Sequence, residues 1–233
     1  MANELFEEAA HEYGAARLRI AALLDGADAA TVARRIAACP DWDVADLCAH
    51  LAGVCADLAA GRLPQGDTQA WVDAQVANRR GRSVSSLLHE WHEASPGFED
   101  LMRQRGGLAG LVLDAVAHEH DLRHALGRPG GRGERGVAVA MAFEQHLLTR
   151  DLASHGVGAV RAVSADGEWV AGAGDPVLTL DLSDRPHGTW ELFRVLGSRR
   201  SERQVDAYPW QGDWHAVRAG VFHMDLPTTD LVE

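Results

Sequence analysis

The 233-residue chain contains no lysine; all 22 of its basic residues are arginine. That absence excludes Schiff-base chemistry, lysine-bound pyridoxal phosphate and any P-loop lysine, each of which needs a primary amine. Cysteine is scarce as well. Cys39, Cys48 and Cys55 form no C-x-x-C pair, and an odd count suits a reducing compartment better than a disulfide scaffold. No stretch approaches the roughly 18 continuous apolar residues of a membrane span, and the opening MANELFEEAAHEYG lacks the basic start and apolar run of a signal peptide. The expectation is a cytoplasmic protein with no membrane partner. Positive charge is in deficit too: a net charge of −12 opposes binding to a phosphate backbone, so no nucleic acid is expected either.

What the chain does have is helical periodicity. Over residues 1–155 apolar positions recur at three- and four-residue spacing between short breaks. A first helix ends before Gly26, and a short second one is expected over Thr31 to Ala38, stopped by Pro40. Asp43 is placed to cap a third helix whose buried stripe is Leu47, His50, Leu51 and Val54. Ser83 caps a long helix closed by Gly106 and Gly107, and further helices are expected over Leu108 to Leu126 and Val137 to Ser154. Beyond Gly156 the texture changes. Val160 to Val163, Glu168 to Ala171 and Val177 to Leu182 are short, valine-rich and bounded by turns, as strands are, with a helix over Trp190 to Leu196 and another strand over Trp214 to Val217. The expected fold is mostly α, with an antiparallel helical bundle over residues 1–155 followed by a small α+β domain over 156–233.

Chemistry concentrates in LDAVAHEHDLRHALG, residues 113–127. Asp114 and His118 are four apart, so both emerge from one helix face at about 5–6 Å, close enough to share an ion. His50, on the inward stripe of another helix, offers a third ligand of a kind that leaves further coordination positions open. Twelve histidines and 34 acidic residues make an Asp/His pair at this spacing easy to find by accident, so the spacing alone does not decide the matter. His120 and His124 fall on another face, and with Glu119 they read as helix-surface residues. Asp121 is placed either to accept the second imidazole N–H of His118 or to pair with Arg123 or Arg128. Competing chemistries are weaker. There is no G-x-S-x-G elbow, the glycines of residues 127–133 open no βαβ unit, Cys48 and Cys55 read as core filler, and Trp42, Trp91, Trp190 and Trp210 read as core or interface anchors.

Five segments in order, ACPDWDVADLCAHLAGV (38–54), VANRRGRSVSSLLHEW (76–91), DAVAHEHDLRHALG (114–127), ELFRVLGSRRSERQV (191–205) and the terminal PTTDLVE, resemble the mycothiol-dependent maleylpyruvate isomerase family of the DinB-like metal-dependent superfamily. The resemblance implies a DinB-like four-helix bundle followed by a smaller domain. It also implies Zn²⁺ or another divalent metal held by the histidine of W-x-V-x-x-x-x-x-H, here His50, with Asp114 and His118. Isomerases of that family carry glutamate where this chain has Asp114, a shorter side chain that reaches less far toward an ion. The implied cofactor is mycothiol, a small thiol that a metal ionises at neutral pH into a nucleophile. The implied partners are that thiol and a small electrophilic or carboxylate substrate, the reaction being isomerisation or S-transfer in a monomer or homodimer. Arg194, Arg199 and Arg200 lie in the segment resembling the C-terminal signature, and at least one is expected to meet a substrate carboxylate in a cleft between the domains, the alternative for Arg199 and Arg200 being a turn and a solvated helix start. A non-catalytic metal- or ligand-binding regulatory protein on the same fold is the alternative from another class, and a metal-activated hydrolase is a third.

Overall fold

A computed structural model describes residues 2–233, with side chains from Glu4 onward. The chain forms two compact units, Met1–Gly130 and Gly131–Glu233. The first holds α1 (Ala2–Leu23), α2 (Ala29–Val32), β1 (Arg35–Ile36), β2 (Cys39–Asp43), α3 (Val44–Ala59), α4 (Thr68–Ala77), α5 (Val84–Gln104), α6 (Gly106–Ala109) and α7 (Val112–Leu126). Helix α5 packs against α1 and α3, and α7 completes a four-helix ring against the same two helices. Ile20, Leu47, Leu51, Trp91, Phe98, Met102 and Leu122 fill its centre at 1% exposure or less, which makes apolar burial the main stabilising term. Trp91 also donates its Nε1–H to the Tyr13 hydroxyl at 2.8 Å, so its one polar atom is satisfied inside the core.

The helix ends follow local chemistry. Asp43 accepts from Asp46 N at 2.9 Å and Ser83 from Ser86 N at 3.2 Å, as N-caps do. Gly127 ends α7 in the left-handed conformation at φ 63°, where a Cβ would be strained. Residues 34–38 are not helical, contrary to expectation. Val44 N donates to Arg34 O at 3.0 Å, and Ile36 pairs with Cys39, folding the segment into the antiparallel β1–β2 ribbon. Complete burial of the β-branched Ile36 outweighs the weak helix propensity there. The expected helix over Leu108 to Leu126 is broken at Gly110 and Leu111, between α6 and α7.

The second unit holds α8 (Arg135–Ser154), β3 (Ala159–Ser164), β4 (Gly167–Ala171), β5 (Pro176–Leu182), α9 (Gly188–Leu196), α10 (Glu202–Asp206), β6 (Trp210–Gln211) and α11 (Arg218–Val221). Its sheet runs β4-β3-β5-β6, with β3 and β5 parallel and the other pairs antiparallel. The division therefore falls at Gly130 rather than after residue 155, because α8 is fastened to the sheet. Trp169 Nε1 donates to Met141 O at 3.3 Å, and Gly172 N donates to Thr149 Oγ1 at 2.9 Å. Trp214 to Val217 is a turn and not a strand: Trp214 is buried with its Nε1 on Asp206, and Asp213 accepts from His215 N at 3.0 Å. Among the described residues no helix is long and apolar enough to cross a membrane.

Candidate metal centre

The ring geometry of the bundle makes α3 and α7 neighbours, and on their facing sides lie His50, Asp114 and His118. His50 Nε2 stands 3.4 and 3.3 Å from the two Asp114 carboxylate oxygens, and His118 Nε2 stands 3.4 Å from Oδ1. One ligand atom from each of the three lies within 4.8 Å of the others. The imidazoles are buried, at 5% and 7% side-chain exposure, while Asp114 keeps 28%, so the cluster is open on the carboxylate side. The fully buried Asp121 carboxylate lies 3.0 Å from His118 Nδ1. That contact takes the Nδ1 proton and leaves Nε2 facing Asp114, the nitrogen a cation would reach by displacing its proton.

The electrostatics are those of a compact ion cluster. Burial opposes charge on Asp114, but the two imidazoles outweigh it and hold its pKa far below the usual carboxylate range. Burial likewise opposes charge on His118, and Asp114 and Asp121 together overcome it, raising its pKa to about 9. Among the described residues His50 Nδ1 is buried with no hydrogen-bond partner, which costs about 1–3 kcal/mol in a protein interior. An unpaired buried nitrogen beside a convergent donor set is the kind of strain that functional sites retain.

Two neighbours escaped sequence reasoning. Trp42, on β2, packs its ring on both imidazoles, with centroids 4.9 Å from His50 and 5.8 Å from His118. Cys39, at the start of the same strand, brings its sulfur within 4.8 Å of His118 and Asp121 ligand atoms. Both depend on the β1–β2 ribbon, whose first part reads as helix in the sequence. Two surface assignments are also corrected. Glu119 and His120 are buried at 1% and 4%, because α7 is enclosed by α1, α3 and the ribbon rather than by one partner. Glu119 is neutralised by Arg19 from α1 at 2.8 Å and by Arg123 at 2.9 Å.

The three arginines of the C-terminal signature are all buried, at 1% for Arg194, 8% for Arg199 and 4% for Arg200, so a solvated helix start does not describe Arg199 and Arg200. Arg194 donates to both Glu233 oxygens at 2.9 and 2.5 Å, and Arg200 donates to Glu191 at 2.7 and 3.0 Å and to Glu233 at 2.7 Å. Arg199 Nη1 donates to Gly197 O at 2.6 Å.

Residues 13–109 match the family described as the mycothiol maleylpyruvate isomerase N-terminal domain. The similarity to this family is therefore shown for that segment, which is less than half of the chain. The matched residues include Trp42 and His50 and stop short of Asp114 and His118. A crystal structure of a mycothiol-dependent maleylpyruvate isomerase, solved as a histidine-to-alanine mutant, is similar at a TM-score of 0.54 and 14% identity, over 88% of this chain and 92% of that one. At that identity the likeness is one of fold, which here extends beyond the N-terminal domain to most of the chain. No curated protein matches it.

Proposed function

We propose that the chain is a metal-dependent enzyme that uses mycothiol as a nucleophile for isomerisation of, or S-transfer to, a small electrophilic or carboxylate substrate. The observation that carries this reading is the convergence of His50 Nε2, His118 Nε2 and Asp114 on one point, with the carboxylate side open. Two imidazoles and a carboxylate fit a borderline cation such as Zn²⁺, which would displace the ring protons on Nε2, and leave coordination positions for another ligand. Bound there, such an ion supplies a Lewis-acidic position at which a thiol ionises near neutral pH.

The chain's own residues do the positioning. Asp121 fixes the His118 tautomer, Trp42 backs both rings, and the 28% exposure of Asp114 marks the side from which a small thiol enters. The protein's buried thiols are poor substitutes as nucleophiles: burial pushes Cys48 and Cys55 up to about 12, leaving them protonated at neutral pH. A substrate carboxylate on Arg194 or Arg200 has to compete with Glu233 and Glu191, so an arginine contact in this function involves displacement of an internal ion pair.

Cobalt-substituted protein titrated with mycothiol tests the reading. The expected result is a new sulfur-to-cobalt absorption band in the wild type, absent in His118→Ala, together with consumption of the thiol or turnover when an activated electrophile is supplied. A cobalt spectrum unchanged by mycothiol would overturn it. A changed spectrum without turnover would favour the regulatory alternative.

A further inference from the structure

His118 presents a different potential site from each of its ring nitrogens. Nε2 faces Asp114 and His50; Nδ1 faces Asp121, whose oxygen lies at 3.0 Å, and ligand atoms of Cys39, His118 and Asp121 lie within 4.8 Å of one another. We propose that Cys39, His118 and Asp121 form a second, thiolate-containing cation site that shares His118 with the first site and holds a thiophilic divalent ion such as zinc or cadmium. This goes beyond the function proposed above, which makes no use of Cys39.

A neutral imidazole has one lone pair, so the two positions exclude each other. With an ion on Nε2 the ring proton sits on Nδ1 and is donated to Asp121. With an ion on Nδ1 the proton moves to Nε2, where Asp114 accepts it at 3.4 Å. A carboxylate thus waits for either tautomer, and the ring needs no reorientation to serve either ion. The second ligand set is also different in kind. It replaces an imidazole with a sulfur, which favours softer ions. Cys39 is partly exposed on β2, whereas Asp121 is fully buried, so the site reaches from the surface to the imidazole that both ions use. That placement suits a station where an ion is captured before it passes to the inner trio, the thiol proton leaving to solvent as the ion binds.

Cadmium titration of the full chain, followed by its ultraviolet sulfur-to-cadmium band, separates the two sites. The band is expected to saturate at one equivalent in the wild type, to persist in His50→Ala, and to vanish in Cys39→Ser. Circular dichroism and retained one-equivalent cobalt binding show that Cys39→Ser is folded. The cadmium-113 resonance should move upfield when Cys39 is replaced, since a thiolate ligand is lost. A wild type without the band, or a band that survives Cys39→Ser, overturns the proposal. Because the inner trio lacks sulfur, either failure leaves the His50 site untouched, and loss of cobalt binding when His50→Ala is added to Cys39→Ser bears on that site.

Discussion

The trio of His50, Asp114 and His118 in the first unit and the arginine network of the second are both buried clusters of charge, and both lie in segments that carry the family resemblance. Their hydrogen-bond accounts differ. In the second unit donors meet acceptors: Arg194 and Arg200 give their N–H groups to Glu233 and Glu191, and the Tyr208 hydroxyl donates to Glu191. In the trio two ring nitrogens and a carboxylate turn toward a common point, and His50 Nδ1 has no partner among the described residues. The ring protons that link the imidazoles to Asp114 can be replaced by a cation at that common point, whereas the arginine network keeps its N–H groups and is complete without a ligand. The comparison teaches that burial and charge alone do not mark a site; the direction of the donors does.

Removing a metal ligand should separate the two clusters most sharply. His118→Ala is expected to lose zinc binding by more than about 4 kcal/mol, as a zinc site's total of roughly 10–16 kcal/mol is shared among a few ligands. Calorimetric titration reads it. Arg194→Ala should do the reverse, leaving zinc stoichiometry intact but destabilising the second unit by about 3 kcal/mol or more, because the buried Glu233 carboxylate loses a partner. Urea unfolding monitored with and without zinc checks both halves of that statement. A smaller effect belongs to Asp121→Asn, which keeps the shape but weakens the hold on His118: zinc affinity should fall about 10–100-fold while the unfolding midpoint of the metal-free protein changes little.

The smallest effect concerns His223, set between Glu144 at 3.3 Å and Asp151 at 2.8 Å on α8. The Glu144 hydrogen bond leads in raising its pKa above the usual histidine value, over the opposing effect of burial. A group whose folded pKa is raised stabilises fully below its unfolded pKa of about 6.5, and that contribution is lost as pH climbs through the folded value. With 24% of the side chain exposed, solvent screening limits it to under about 1 kcal/mol. Thermal unfolding between about pH 5.5 and 8.5 should therefore show a decline that His223→Gln flattens.

Much of the bundle is legible in the sequence because its signals are local. Asp43 and Ser83 sit where caps belong, and the Leu47, His50, Leu51 and Val54 stripe is buried as its spacing requires. The Asp114 and His118 pair is legible for the same reason. What is not legible is long-range. The ribbon that brings Cys39 and Trp42 to His118 exists because Ile36 is buried by tertiary packing, and that packing overrides local propensity. The enclosure of Glu119 depends on Arg19, a hundred residues earlier in the chain. The assignment of α8 to the second unit rests on hydrogen bonds to a strand that its own periodicity does not announce. The arginine signature is visible as a motif, but its partner Glu233 lies 39 residues from Arg194, so the sequence does not reveal that the fork is filled from within.

The central claim is that the inner trio by itself holds one divalent ion. The direct measurement is metal analysis of Cys39→Ser protein purified without chelator and loaded with a stoichiometric amount of zinc, compared with the Cys39→Ser/His50→Ala double variant, so that no sulfur ligand from the ribbon contributes. One zinc ion per chain in the first protein and none in the second is the predicted result. A Cys39→Ser protein as free of zinc as the double variant would contradict it.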